Sequence, residues 1–442
     1  MKKQYKNIII GAGITGLSAA FYLEDDYLLI ESEKRCGGMF NSIKKNGYFL
    51  DFGERFIRID AGRKKCFNEI FGKDFFRKNK LYSQICLRNK RFWYPFQYNL
   101  YGMEKRKLDI CIAEARKACK GKKKNKNFRE WMLSNFGRGI VEAFMGPYNR
   151  KIWCEDPSRM SCDWFYSDNV VPSDGIDKIV KGAVRSFEER GGSDTLPIRY
   201  YPGNGGASSV PEFMEKRLRG PILYDSKVVK IDPDRKKVFT EKGDEIKYTN
   251  LISTIPLTEL VKMVSPAQKD LKVWSEKLKY NSVLCIWVAI KREIREKCHW
   301  IYFPERKYGF SRLYFQQNFS PKVTPEGRAA IGAIFTYRGR KPPLPELKKE
   351  LIEQLIRLKV LESERDIDFI EHVNMKYGFC IPLIGTAELS EKIRNRLKEK
   401  NIFSIGRYGE WKYSGMEHAL TDGRSIAHFL EGGAGSNDQE IR

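Results

Sequence analysis

Residues Asn7 to Ile10 are an apolar run that breaks into Gly11-Ala12-Gly13-Ile14-Thr15-Gly16, followed by a helix-forming stretch to Leu23. Gly11 permits a tight turn, Gly13 lets a phosphate approach the backbone at a helix N-terminus, and Gly16 lets that helix sit close on the strand. Ile14 and Thr15 open the helix, so their amides belong to the same anion-binding end. A second apolar segment, Tyr27 to Ile30, leads to Glu31, fifteen residues after Gly16, with Ser32 next. A carboxylate there accepts hydrogen bonds from ribose hydroxyls and repels a 2′-phosphate. The spacing predicts an α/β fold opening on a Rossmann-type dinucleotide domain.

At 442 residues, 41% of them hydrophobic, the chain is long enough for two or three domains. Strand and Gly-loop patterns at residues 1–62, short strands within 196–262 and a strand-turn-helix at 400–432 compose one discontinuous nucleotide-binding domain. Residues 63–195, with amphipathic stretches at Lys107 to Cys119, Phe128 to Phe136 and Asp177 to Glu189, read as a mainly helical substrate or interaction domain. Residues 263–399 read as a β-rich substrate domain.

No apolar run approaches the ~20 residues that cross a bilayer, and the N-terminus lacks a secretory apolar region, so a cytoplasmic location is expected. Ten cysteines without a Cys-x-x-Cys pair, and only four histidines, argue against a zinc site or a disulfide framework. The net charge of +25 is dispersed, its densest run at Lys120 to Asn127 reading as a solvated loop. Nucleic acid is therefore not expected as a partner, whereas anionic small molecules, cofactor phosphates and acidic surfaces suit such a field.

The segment Glu31-Ser32-Glu33-Lys34-Arg35-Cys36-Gly37-Gly38-Met39 resembles that of the large FAD-dependent superfamily containing amine oxidases, protoporphyrinogen oxidase, phytoene desaturases and UDP-galactopyranose mutases. The resemblance implies FAD as cofactor. It places Arg35, Gly37, Gly38 and Met39 along the pyrophosphate and ribityl chain, and Val229 in Val228-Val229-x-Ile231 over the adenine.

Three further stretches are similar to the mutase branch: Tyr94-Pro95-Phe96-Gln97-Tyr98-Asn99; Phe144 to Trp153 with Pro157, Met160 and Trp164; and Gly406-Arg407-Tyr408-Gly409-Glu410-Trp411-Lys412-Tyr413. Such mutases interconvert sugar pyranose and furanose rings on a nucleoside diphosphate, with reduced flavin N5 as nucleophile and NAD(P)H a candidate reductant. The likeness implies Gln97, Asn99, Tyr148, Asn149 and Trp153 around sugar and base. It puts Arg312 on the diphosphate and Tyr413 near the leaving phosphate.

The pattern also breaks. Arg55 stands where mutases carry a flavin-adjacent His, and Asp168 and Asn169 fall near the place of a second diphosphate-binding Arg. Phe319 replaces a phosphate-binding Tyr, and in Tyr377-Gly378-Phe379 the family's Tyr becomes Phe379. Each loss removes about 1–3 kcal/mol of polar contact. Arg55, Arg58 and Arg407 are candidates to hold an anion from another side. A nucleoside-diphosphate sugar is the expected substrate class, with the identity of the sugar and the oligomeric state open. The alternative is an oxidoreductase of the amine oxidase, porphyrinogen oxidase or desaturase kind.

In the C-terminal turn, Gly406 and Arg407 are expected at the flavin's phosphate and ribityl side. Ser414 and Glu417 have the spacing of a capping box that starts a helix at Gly415. The amides around Gly415, Met416 and Glu417 would then favour an anionic reduced flavin.

Overall fold

A computed structural model describes residues 2–23, 26–118, 124–164 and 175–432. The strand Gln4–Ile10, the helix Ile14–Tyr22 and the strand Tyr27–Ile30 form the expected β-α-β opening. Their strands pair in parallel, Ile8 opposite Leu28 and Ile10 opposite Ile30. On the other side of Gln4–Ile10 lies the parallel strand Glu245–Ser253, which also pairs in parallel with Ile402–Ser404. The meander Val228–Asp232, Lys237–Thr240, Glu245–Ser253 closes one edge and Ile222–Leu223 the other. This seven-stranded sheet thus takes strands from residues 4–30, 222–253 and 402–404. Distant segments meet because each is apolar on both faces and must be covered by helices on both sides.

A second seven-stranded sheet runs Ile367–Cys380, Tyr280–Ile290, Ala329–Tyr337, Arg312–Phe315, Trp300–Tyr302, Ser83–Leu87, Lys90–Trp93. Its last two strands come from the segment read as mainly helical, which also supplies Phe76–Lys80 to a hairpin with Ile198–Pro202. Helical periodicity in the neighbouring stretches masked these short strands, whose Lys and Arg residues break the apolar alternation. Strand Tyr280–Ile290 shows why one run is continuously hydrophobic. Val283, Cys285, Trp287 and Ala289 pack toward the helical layer, while Leu284, Ile286, Val288 and Ile290 pack into a separate core with Leu351 and Leu355 of the helix Leu344–Arg357.

The helical layer itself comprises Lys105–Ala118, Phe128–Ile140 and Gly146–Trp153, the last two joined by a π turn at Val141–Met145. A further helix, Gly175–Val184, ends five residues earlier than the periodicity to Glu189 suggests. The C-terminal helix Met416–Leu430 lies directly on Ile14–Tyr22. The Ser18 hydroxyl donates to the Leu420 carbonyl at 2.7 Å, and a Cβ on Gly423 would lie 2.6 Å from the Ala19 nitrogen. Among the described residues no helix is long and apolar enough to cross a membrane.

Candidate functional site

The dinucleotide end is shaped by its glycines. Gly11 has φ +99°, and a Cβ on Gly16 would sit 2.0 Å from the Gly11 carbonyl oxygen, so only glycine lets the helix start here. A Cβ on Gly13, in contrast, would meet nothing within 4 Å. The backbone is therefore open where the helix presents amides that no side chain caps. Ile14 and Thr15 occupy the first turn and are buried. Glu31 is buried, its carboxylate accepting from the Ala12 amide at 2.7 Å, the Glu33 amide at 2.9 Å and the Ser32 hydroxyl at 3.1 Å. Gly37 bridges back to this loop, its amide donating to the Ala12 carbonyl at 2.8 Å, and Gly38 lies against Gly13. Arg35 is exposed and donates to the Ser42 carbonyl at 3.2 Å, while Met39 is half-buried. Val229 is on the strand Val228–Asp232 and 47% exposed. An open backbone cradle, a helix N-terminus and an oriented carboxylate fit the phosphates and ribose of a dinucleotide.

At the C-terminal turn, Gly406 has φ +79°, and a Cβ there would be 2.6 Å from the Thr15 hydroxyl. The capping box expected from Ser414 and Glu417 is not formed. Helix Met416–Leu430 starts after Gly415, whose amide donates to His418 Nδ1 at 3.4 Å, and the Ser414 hydroxyl has no partner. Glycine at the N-cap offers no oxygen, so the ring three residues on substitutes. Met416 is buried in the first turn.

Arg407 donates to the carbonyls of Ser414 at 3.1 Å and Gly378 at 3.3 Å. Arg55 donates to the Phe52 carbonyl, and its guanidinium is held below its ordinary pKa by burial, with Arg407 adding to the effect. Both arginines keep a buried Nε without a partner. Two nearby guanidiniums with orphaned donors fit an anionic flavin. Burial pushes the Cys285 thiol beside Arg55 up to about 12, so it stays a thiol. The Asp51-Phe52-Gly53 loop that carries Glu54 and Arg55 is anchored by the buried Asp51 carboxylate. It accepts from Tyr201, from the Ser42 hydroxyl at 2.7 Å and from the Ala207 amide at 2.9 Å.

Arg312, at the start of the strand Arg312–Phe315, donates to the Tyr148 hydroxyl at 2.7 Å and to Glu54 Oε1 at 2.8 Å. Its guanidinium lies 4.6 Å from the centre of the Tyr302 ring. Although burial opposes the charge, Glu54 and the surrounding tyrosines hold Arg312 well above its ordinary pKa. Burial raises the Tyr94, Tyr148 and Tyr302 phenols, which remain neutral donors and acceptors. Beside this centre, Trp153, Trp164, Phe379 and Tyr413 make an aromatic box with centroid separations of 4.9 to 6.1 Å. The Arg407 guanidinium lies 5.2 Å from the Tyr413 ring, which is 49% exposed.

The structure therefore brings Arg55, Arg312, Arg407, Tyr148, Trp153, Phe379 and Tyr413 together. Asn149 and Asn99 lie beside them but are engaged internally. Asn149 bonds the Met145 carbonyl and Trp153 Nε1, and Asn99 bonds the Pro95 carbonyl and Arg190. Gln97 is buried under the same layer. Phe319 is fully buried among Phe56, Tyr201, His299 and Tyr314. Tyr377 faces away from the box, bonding Glu259 and stacking near Tyr280 and Trp411. Asp168 and Asn169 lie outside the described residues.

Glu54 at this centre, and Arg199 in electrostatic reach of Tyr302 and Tyr94, are residues that reading the sequence did not single out. Glu54 stands next to Arg55, and an acid directly after Gly53 in Asp51-Phe52-Gly53-Glu54-Arg55 was the available signal. Arg199 lies on the edge strand Ile198–Pro202, where nothing local marks it.

Residues 120–428 match the family described as flavin containing amine oxidoreductase, and residues 9–71 match an NAD(P)-binding Rossmann-like domain. The chain belongs to the flavin-containing amine oxidoreductase family. It is accordingly an FAD-dependent enzyme. A coproporphyrinogen III oxidase of Staphylococcus aureus is 36% identical over 287 residues, covering 56% of this chain and 60% of the relative. One from Bacillus subtilis is 42% identical over 55 residues, 10% of this chain and 12% of the relative. The matched regions thus span 60% or less of these two relatives' length.

Among solved structures, a reduced UDP-galactopyranose mutase aligns with TM-score 0.86 at 25% identity, over 98% of this chain and 96% of that one. Putrescine oxidase bound to putrescine aligns with TM-score 0.66 at 14% identity over 97% and 99% of the two chains. A fatty acid isomerase from P. acnes aligns with TM-score 0.65 at 13% identity, over 97% and 99%. These last two likenesses show the fold alone. Among the described residues no cluster of His, Cys, Asp and Glu could hold a metal ion.

Proposed function

We propose that this flavoenzyme acts as a mutase-like isomerase on an anionic nucleotide-linked sugar other than the standard UDP-galactose. The observation that carries the reading is Arg312, largely enclosed between the Tyr148 hydroxyl and the face of Tyr302, with the aromatic box beside it. A desolvated guanidinium there suits a substrate anion, and stacked rings suit a base or sugar face. Likeness over nearly the whole chain to a UDP-galactopyranose mutase supports it. Reduced FAD, when bound, supplies the nucleophile for such a reaction. This chain's part is to hold and orient. Arg55 and Arg407 place positive charge where a reduced flavin carries negative charge, Tyr148 fixes the Arg312 fork, and Trp153, Phe379 and Tyr413 exclude water around the sugar.

An oxidoreductase reading has its own support. Sequence relatives include coproporphyrinogen III oxidases, and Glu54 already occupies one side of Arg312. The test is stoichiometric. FAD-loaded protein reduced with dithionite is incubated anaerobically with a panel of nucleotide sugars, and products are separated by chromatography. An isomer formed without consumption of an electron acceptor is expected. Turnover of a porphyrinogen or amine in proportion to acceptor, with every sugar unchanged, overturns the mutase reading.

A further inference from the structure

Arg312 already carries one carboxylate, so a substrate anion there has to compete with Glu54. Its fork is shared between Glu54 and Tyr148. Arg55 and Arg407 are accounted for by the flavin. Two other arginines enter the same region by a different route. Ile57 and Tyr200 form an isolated antiparallel bridge, each amide donating to the other's carbonyl at 2.8 Å. Continued by one residue, the register of that bridge sets Arg58 opposite Arg199, at the closer, non-hydrogen-bonded spacing and on the face away from buried Ile57. Like charges in that arrangement repel unless an anion lies between them.

Among the described residues Glu417 is a carboxylate in electrostatic reach of both arginines, and one charge at that range leaves the pair with excess positive charge. Neither arginine forms an ion pair, and Arg199 donates only to the carbonyl of its neighbour Ile198, at 2.9 Å. Glu417, the acid in electrostatic reach, is 3.7 Å from His418 Nδ1 and pairs with neither arginine. The adjacent Arg63 is already held by Asp60. Arg199 is half-buried and Arg58 exposed, and Arg199 is in electrostatic reach of Tyr94 and Tyr302, the rings around Arg312, while Arg58 follows four residues after the Glu54 that pairs with Arg312.

We propose that Arg58 and Arg199 form an anion subsite beside the Arg312 centre and take the phosphate or diphosphate end of the substrate. The pair does the work of the second arginine expected near residue 168, from a strand instead of from that segment. This rests on the anionic-substrate reading above.

Inorganic pyrophosphate is the probe, titrated calorimetrically into FAD-loaded protein, with flavin content measured in parallel. Wild type and R63Q are expected to bind alike, while R58Q and R199Q bind at least tenfold more weakly and keep their flavin. Without pyrophosphate, R199Q is expected to melt no lower than wild type, because a like-charge contact has gone. A merely structural arginine would lower it. Equal binding by R58Q, R199Q and wild type, no binding by wild type, or loss of flavin with either arginine overturns the proposal. The subsite and the reaction fail separately. Isomer formation with unchanged pyrophosphate binding in both variants sinks only the subsite. Acceptor-dependent turnover with binding lost in both sinks only the mutase reading.

Discussion

Glu54 and Arg312, 258 residues apart in sequence, meet through a 2.8 Å ion pair with side chains only 9% and 18% exposed. A diphosphate that used Arg312 would have to displace a buried carboxylate and leave it unpaired, a penalty of about 3–5 kcal/mol. Replacing Glu54 with Gln keeps the shape and removes that competition. Glu54→Gln is expected to tighten UDP binding to the FAD-loaded enzyme by tenfold or more, read by titration calorimetry. Unchanged affinity would mean that Arg312 does not face the ligand.

The close seat of the C-terminal helix on the first helix gives a stability prediction. A Cβ at Gly423 would lie 2.6 Å from the Thr15 carbonyl oxygen and the Ala19 nitrogen, both backbone atoms that cannot swing aside. Gly423→Ala should destabilise by about 1–3 kcal/mol through overpacking. Gly16→Ala, 2.0 Å from the Gly11 carbonyl oxygen, should also empty the flavin site. Absorbance of the purified variant at flavin wavelengths, set against its melting temperature, separates loss of cofactor from loss of fold.

These two cases mark what the sequence could reveal. Gly11, Gly13, Gly16 and Glu31 are legible because their jobs are local, each set by the turn, helix start or strand end it sits in. The aromatic box was legible through resemblance alone, since Trp153, Phe379 and Tyr413 come from three distant segments. Glu54 on Arg312, and Arg58 opposite Arg199, were not legible. Each depends on which strand ends meet across hundreds of residues, and charge at a single position does not encode its partner. The Ser414 and Glu417 spacing misled for the opposite reason. It matched a local rule, but the helix starts one residue after the glycine and the His418 ring takes the amide instead.

Lys151 carries a structural duty that its charge conceals. Its ammonium donates to the carbonyls of Phe303 at 2.8 Å, Glu305 at 2.5 Å, Tyr308 at 2.9 Å and Phe310 at 3.3 Å. Burial lowers it only to about 8, so it is charged at neutral pH. Lys151→Met would strand several carbonyls in the loop between Tyr302 and Arg312. A loss of about 2–4 kcal/mol in urea unfolding is expected, from unsatisfied acceptors at about 1–3 kcal/mol each partly relieved by water. A variant as stable as wild type would show that this loop does not depend on the ammonium.

His299 makes stability depend on pH. It is 5% exposed, accepts the Tyr82 amide on Nδ1 at 3.1 Å and packs on Phe56. Burial drives its pKa down to about 4, outweighing backbone contacts that act the other way. In the unfolded chain a histidine titrates near 6.5. Between those values the unfolded state binds the extra proton, so the stabilising contribution is complete above pH 6.5 and is lost progressively as pH falls toward 4. At about 1.4 kcal/mol per pH unit the loss approaches ~3 kcal/mol. His418, also lowered to about 4, shares the window, so the diagnostic is a difference. His299→Gln keeps an acceptor for Tyr82 but cannot titrate. The stability gap between wild type and this variant should narrow as pH drops from 7 to 4, measured by urea unfolding at each pH. A constant gap would mean that His299 titrates in the folded protein as it does in the unfolded chain.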